Sequence, residues 1–195
     1  MDRFSILVGD ITQSDAIAIV NAANETLLGG SGVDGAIHRA AGPALLAECR
    51  SLHGCPTGSA KLTSGYNLRA HYVLHTVGPI WQGGSMGEPA LLASCYRSCL
   101  ELAAERKLAS VDFPSISTGI YRYPLPQAAA VALKAIMDFL ACHDTPARVR
   151  MVCHDEQTAD VYRQTWNTWY AEGPESYLPL WCDRAEDGED EEDDD

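Results

Sequence analysis

The chain has 195 residues, 46% of them apolar, and a formal charge of −13, which suits one α/β domain with a sizeable core. Ten acidic side chains and one arginine in residues 183–195 account for −9 of that charge and leave −4 for residues 1–182. Only 14 Lys and Arg are scattered along the chain, so no basic footprint for nucleic acid is expected, nor an export leader or a run of about eighteen apolar residues to span a membrane.

Short β-branched runs alternate with longer helical patterns, the mark of a layered α/β domain. Strands are predicted at Phe4–Val8 and at 16–21, followed by a glycine-rich loop and a helix over 34–52. Next come strands at 60–63 and Tyr72–Val77, then a helix over 89–107, where Leu92, Cys95, Cys99 and Leu102 recur at intervals of three and four. A strand at Ser110–Phe113 leads into a second loop, and Leu133, Ile136, Met137 and Leu140 give the helix Leu125–Cys142 one apolar face. A strand at 149–153 and a helix over 157–170 complete the domain, placed at residues 1–180. Trp166, Trp169 and Tyr170 in that last helix read as core or surface anchors. The tail 183–195, AEDGEDEEDDD at its end, has nothing to bury and is expected to be disordered.

The seven cysteines are odd in number and show no CxxC spacing, so neither a zinc site nor a disulfide framework is indicated. Cys95 and Cys99, four apart in an apolar pattern, read as small buried hydrophobes on a helix face, a usage that suits a reducing, cytoplasmic setting.

Ligands of open α/β sheets collect where strands run out at their carboxyl ends. Two such places are rich in glycine and small polar residues: NAANETLLGGSGVDG at 21–35 and STGIYRYP at 117–124. In the first, Gly29, Gly30, Gly32 and Gly35 permit close backbone approach, and a helix start offers unpaired N–H groups to an anion. The spacing matches neither GxxxxGK[ST] nor GxGxxG, which argues against ATP hydrolysis and dinucleotide binding of the commoner kinds. Asn21, Asn24 and Asp34 add amides suited to sugar hydroxyls and a carboxylate suited to a water. Alone, Asp34 would read as a helix cap. His38 lies four residues on, sharing its helical face, and reads as orienting the loop more than as an acid or base. His75 reads as a packed strand-end histidine.

NAAN, six residues, SGVD and GAIHRAAG together resemble the substrate loop of MacroD-type macrodomains, and VGDIT, CPTG, HTVGP and FPSISTGIY agree in order over about the first 155 residues. The resemblance implies a three-layer αβα sandwich with a mixed central sheet. It also implies binding of ADP-ribose without a cofactor or metal, and hydrolysis of its carboxylate esters, on proteins modified at Asp or Glu or as O-acetyl-ADP-ribose. Carried over residue by residue, Asp10 takes the adenine amino group with Ile11 beside it. Asn24 holds the distal ribose, and Ser31, Gly32 and Val33 line it. Asp34 holds the catalytic water. Ser117, Thr118, Gly119, Ile120 and Tyr121 form the diphosphate turn, and His154 falls near adenine by position. The chain departs from the family at Ser31, where a glycine is usual, and at Arg122, which follows the turn in place of another glycine. Those two side chains keep open a non-hydrolytic reader of ADP-ribose. The acidic tail leaves room for a regulator of a protein partner such as a ribonuclease. No interface signal appears, so a monomer is expected.

Overall fold

A computed structural model describes residues 3–171; the expected tail at 183–195 lies outside them. Six strands form one sheet in the order β1-β6-β5-β2-β4-β3. They are β1 (Phe4–Val8), β2 (Ala18–Ala23), β3 (Ala60–Ser64), β4 (Tyr72–Val77), β5 (Ser110–Phe113) and β6 (Arg148–Cys153). All neighbours run parallel except β3, which pairs antiparallel with β4 at the edge. The helices are α1 (Gly32–Ala41), α2 (Pro43–Ser51), α3 (Glu88–Glu105), α4 (Leu125–Cys142) and α5 (Glu156–Ala171). A short 3₁₀ turn, Ile11–Gln13, follows β1.

Alternation along the strands builds two cores, one on each face. Ala18 and Val20 of β2 and Leu74 of β4 point into a core with α3, α4 and α5. Ile19, Ala23, Val73 and Val77 point the other way, to Ile37 of α1 and Leu45 and Cys49 of α2. The expected three-layer αβα sandwich with a mixed sheet is what the chain forms. Helix α4 is long and apolar enough to reach across a bilayer by length and composition, but it packs between α3 and α5 as a core helix.

Two expectations are corrected. The single helix over 34–52 is two helices, because Gly42 adopts φ +86 and Pro43 begins α2; a glycine in that conformation and a proline without an N–H end one helix and start another. Strand β2 lies two residues later than predicted, since Ala22 and Ala23 pair with Thr76 and Val77 of β4. Cys49, Cys55, Cys95, Cys99 and Cys153 are free and buried. The Trp166 ring lies tilted against Phe4, 5.3 Å between centroids, and with Trp169 packs against the core.

Because β1, β6, β5, β2 and β4 run parallel, their carboxyl ends share one rim. The chain leaves β2 toward β4 on one side and β5 toward β6 on the other. That reversal opens a crevice at the rim, and both glycine-rich loops reach it.

Candidate functional site

The first loop is shaped by its own polar groups. Asn24 donates from Nδ2 to the carbonyl of Gly29 at 2.9 Å and accepts from the backbone N–H and hydroxyl of Thr26 at 3.2 and 2.6 Å. Both lone-pair directions of Oδ1 are thereby engaged, and one Nδ2 proton remains for a ligand. Leu27, fully buried at φ +60, anchors the loop to the core beneath. The loop lies flat on α1 because Gly35 has no side chain: a Cβ there would stand 2.4 Å from the Gly30 carbonyl oxygen.

Helix α1 begins at Gly32, with Ser31 as its N-cap and no side-chain capping bond. Asp34 therefore lies in the first turn rather than at the cap, which corrects the capping reading. The first-turn N–H groups stay available to an anion. Ser31 sits at φ −100 and ψ −177, extended backbone open to any L-residue, so the serine that replaces a glycine is unstrained.

Asp34 is only 4% exposed. Its Oδ1 accepts from Asn21 Nδ2 at 2.8 Å and stands 3.4 Å from His38 Nε2. Its Oδ2 faces Gly30 and Asn24: a Cβ on Gly30 would lie 3.1 Å from that oxygen and 3.6 Å from Asn24 Nδ2. Burial pushes the Asp34 carboxyl above the usual carboxylate range, against the opposing pull of the Asn21 bond and of His38. One oxygen is thus tied inward and the other turned toward a small space beside Asn24.

Behind Asp34 runs a buried polar chain. Asn21 lies opposite His75 in the β2–β4 register and meets its Nδ1 at 3.1 Å. The Nε2 of His75 meets the Thr63 hydroxyl at 2.9 Å, with Cys49 Sγ at 3.8 Å. Burial, with His38 nearby, drives the His75 pKa down to about 3. The same desolvation lifts the Cys49 thiol to about 11, so this pair holds no thiolate nucleophile.

The second loop leaves β5 through Pro114 and turns at Ser117, whose φ is +66. The Tyr123 N–H returns to the Ser117 carbonyl at 2.9 Å, the Arg122 N–H to that of Gly119 at 3.0 Å, and the Trp81 N–H to that of Tyr121 at 2.9 Å. Ser117 packs on Gly78, where a Cβ would meet Ser117 Oγ at 2.1 Å. Tyr121 lines the cavity, and burial together with the Glu25 and Asp34 carboxylates raises its phenol pKa. At the β1 end, Asp10 caps the 3₁₀ turn, and its Oδ1 accepts from the Thr12 N–H and hydroxyl at 2.9 and 2.7 Å. The other carboxylate oxygen stays free for a donor.

Between the loops lies a cavity of about 620 Å³, within the range of roughly 300–1,000 Å³ common to small-molecule sites. It brings together Asp10, Ile11, Asn24, Ser31, Gly32, Val33, Asp34, the turn Ser117 to Tyr121, and His154. Arg122 and His38 do not line it. Arg122 is exposed at φ +58. His38 instead packs its ring over Gly29. His154 pairs with Asp155 at 2.8 Å. No Lys or Arg lines the cavity, so an anion there meets backbone N–H groups of the turn and of α1. Among the described residues no three His, Cys, Asp or Glu side chains cluster as metal ligands. Sequence reasoning missed Gly78, Pro114 and Val152 as lining residues and His75 and Thr63 as support, and it assigned Asn21 to sugar hydroxyls, whereas Asn21 is buried behind Asp34 and does not line the cavity. The HTVGP and FPSIS stretches carried the signal for Gly78 and Pro114. Thr63 had none.

Residues 20–132 match the family model described as Macro domain. A "Macro domain-containing protein" of Methanosarcina mazei is 57% identical over 158 residues, covering 81% of this chain and 84% of its own length. An "O-acetyl-ADP-ribose deacetylase" of Salmonella gallinarum is 51% identical over 164 residues, covering 82% and 92%. Among solved structures, a mutant of the Oceanobacillus iheyensis macrodomain with ADPR superposes with a TM-score of 0.81 at 46% identity, covering 84% of this chain and 91% of that one. The Trypanosoma brucei macrodomain in complex with ADP-ribose gives 0.79 at 45%, covering 83% and 68%.

Proposed function

The chain belongs to the macrodomain family, and from that premise we propose that it binds ADP-ribose and hydrolyses ADP-ribosyl esters, on proteins or as O-acetyl-ADP-ribose. The observation that carries the reading is Asp34: a nearly buried carboxylate with Oδ1 bonded to Asn21 and Oδ2 turned to the cavity beside Asn24. The relatives named for ADP-ribose and for its acetyl ester point to the ligand class.

In this reading the free oxygen of Asp10 takes the adenine amino group. The turn from Ser117 to Tyr121 and the start of α1 cradle the diphosphate. The remaining Nδ2 proton of Asn24 takes a hydroxyl of the distal ribose, with Gly32 and Val33 in close backbone contact. A water held by Asp34 Oδ2 attacks the ester as its proton passes to the carboxylate. The ester C–O bond breaks as Asp34 returns that proton to the departing ribose oxygen, and a carboxylic acid and ADP-ribose leave. The raised affinity of Asp34 for a proton suits a general base, and fixed N–H dipoles around the phosphates and ribose steady the charge that develops. No cofactor enters.

The non-hydrolytic reading drew on Ser31 and Arg122. Ser31 is unstrained at φ −100 and Arg122 lies outside the cavity lining, which favours the hydrolase. Calorimetric titration with ADP-ribose, ATP and NAD tests the ligand; ADP-ribose is expected to bind at least tenfold tighter than either, and preference for ATP overturns the reading. A single-turnover assay on a carboxylate-linked ADP-ribosylated protein tests the chemistry by release of free ADP-ribose.

A further inference from the structure

Three strands contribute one polar residue each behind Asp34: Asn21 of β2, His75 of β4 and Thr63 of β3, all with no exposed surface. The directions of their hydrogen bonds follow from the end of the chain. The carbonyl of Ser64 can only accept, so Thr63 donates its single proton there, at 3.1 Å. The Thr63 oxygen then accepts from His75, at 2.9 Å, which puts the ring proton on Nε2. Nδ1 is left bare and accepts from Asn21 Nδ2 at 3.1 Å. The second proton of that amide has one remaining acceptor, Asp34 Oδ1 at 2.8 Å.

We propose that His75, locked in one tautomer by Thr63, is a positioning residue for Asp34: it orients the Asn21 amide to donate to Oδ1 and so leaves Oδ2 for the reacting water. This rests on the hydrolytic role of Asp34 proposed above. The opposite arrangement shows why the lock matters. With the ring proton on Nδ1, His75 donates to Asn21, and the amide turns its oxygen toward both His75 and Asp34. An ionised Asp34 would then face a carbonyl, and only the protonated acid fits. The two tautomers of His75 therefore belong to the two protonation states of Asp34. The turned amide would also bury two unpartnered N–H protons, where the observed one leaves only Asn21 Oδ1 without a partner.

The other titratable groups near this chain do not set its direction. His38 stands 3.4 Å from Asp34 Oδ1 and 6.5 Å ring to ring from His75, and its Nε2 makes no hydrogen bond. Cys49 keeps its proton beside His75 Nε2. Tyr121 lines the cavity, and Glu25 accepts from the Thr57 hydroxyl at 2.9 Å outside the cavity lining.

The test uses the full chain and three readouts. In wild type, ¹⁵N spectra should show His75 neutral and protonated at Nε2 at pH 7; protonation at Nδ1 overturns the proposal without any variant. In Thr63→Val, nearly isosteric but unable to accept, the Asp34 carboxyl followed by ¹³C should titrate about one pH unit higher, the size expected when a hydrogen bond to a charged group is lost. The acid limb of kcat for ester hydrolysis should move by the same amount, with KM within about twofold of wild type. In His75→Gln, whose side-chain oxygen can accept from Asn21 and whose amide can donate to Thr63, both should stay in place. An unmoved Asp34 titration in Thr63→Val sinks the positioning role. A moved titration with turnover that survives Asp34→Asn sinks the catalytic role of Asp34 instead.

Discussion

Replacing Asp34 by asparagine separates binding, turnover and stability, because the two carboxylate oxygens have different partners. Oδ1 receives the Asn21 amide at 2.8 Å, and the oxygen of a new amide can take over that bond. The new NH₂ then falls where Oδ2 faces the cavity, replacing an acceptor by a donor. A water bonded there can no longer hand over a proton. General-base assistance of this kind is worth roughly 10²–10⁴-fold in rate, or about 3–5 kcal/mol of barrier. The phosphate and adenine contacts proposed above lie elsewhere, so ADP-ribose affinity should change by less than about tenfold, one hydrogen bond's worth. Stability should move the other way. Burial holds the folded-state pKa of Asp34 above its unfolded value, so the native state binds its proton more tightly. Wild-type stability therefore falls as pH rises from the unfolded pKa through the folded one, and stays lowered above it. The Asp34→Asn variant lacks that loss and should melt no lower than wild type at pH 7. Single-turnover release of ADP-ribose, calorimetry and thermal melts report the three quantities. Equal losses of turnover and affinity would refute the reasoning, because they would make Asp34 a ligand contact and nothing more.

Arg122→Gly should raise stability by about 1 kcal/mol, read as a higher denaturant midpoint, since Arg122 holds φ +58 and lies outside the cavity; ADP-ribose affinity should not change. Gly30→Ala places a Cβ 3.1 Å from Asp34 Oδ2 and 3.6 Å from Asn24 Nδ2, so turnover should fall at least tenfold while the fold persists by circular dichroism. His75, with a folded pKa of about 3 against 6.5 unfolded, is a base with its pKa depressed, and the unfolded chain binds more protons between those values. Its contribution to stability is complete above pH 6.5 and is lost as pH falls, by about 4 kcal/mol at pH 3. Denaturant melts of His75→Gln should show a shallower acid decline than wild type.

Where local pattern and tertiary structure agree, the sequence was enough. The bounds of β1, β4, β5 and α4 follow from apolar periodicity alone, because each buries a face that only one period satisfies. Cavity-lining positions such as Asp10, Asn24, Asp34 and Tyr121 were found through contiguous motifs. The break at Gly42 is legible in the sequence as a Gly-Pro pair. The position of β2 was not visible, since pairing with β4 fixes its end. The same limit hid the support of Asp34: Asn21, His75 and Thr63 sit far apart in the chain and meet only through sheet register. Nor does a sequence state φ. Ser31 and Arg122 both stand where glycine is usual in the family, yet one is extended and the other left-handed.

That difference bears on how the site is held. Leu27, Ser117 and Arg122, all in the two loops, occupy positive φ without being glycine, each at a cost of about 1–2 kcal/mol. Such conformations persist only where the surroundings over-determine them. Leu27 is fixed by complete burial in the core beneath α1, and Ser117 by close packing on Gly78 and its bond from Tyr123. Arg122 is exposed and held in the turn by its own N–H bond to the Gly119 carbonyl. Strain at Leu27 and Ser117 therefore positions groups that face the cavity, and its removal should disturb binding. Strain at Arg122 positions nothing in the cavity. The two loops are rigid for different reasons on their inner and outer sides, and the inner side is where the fold ties its strain to the ligand.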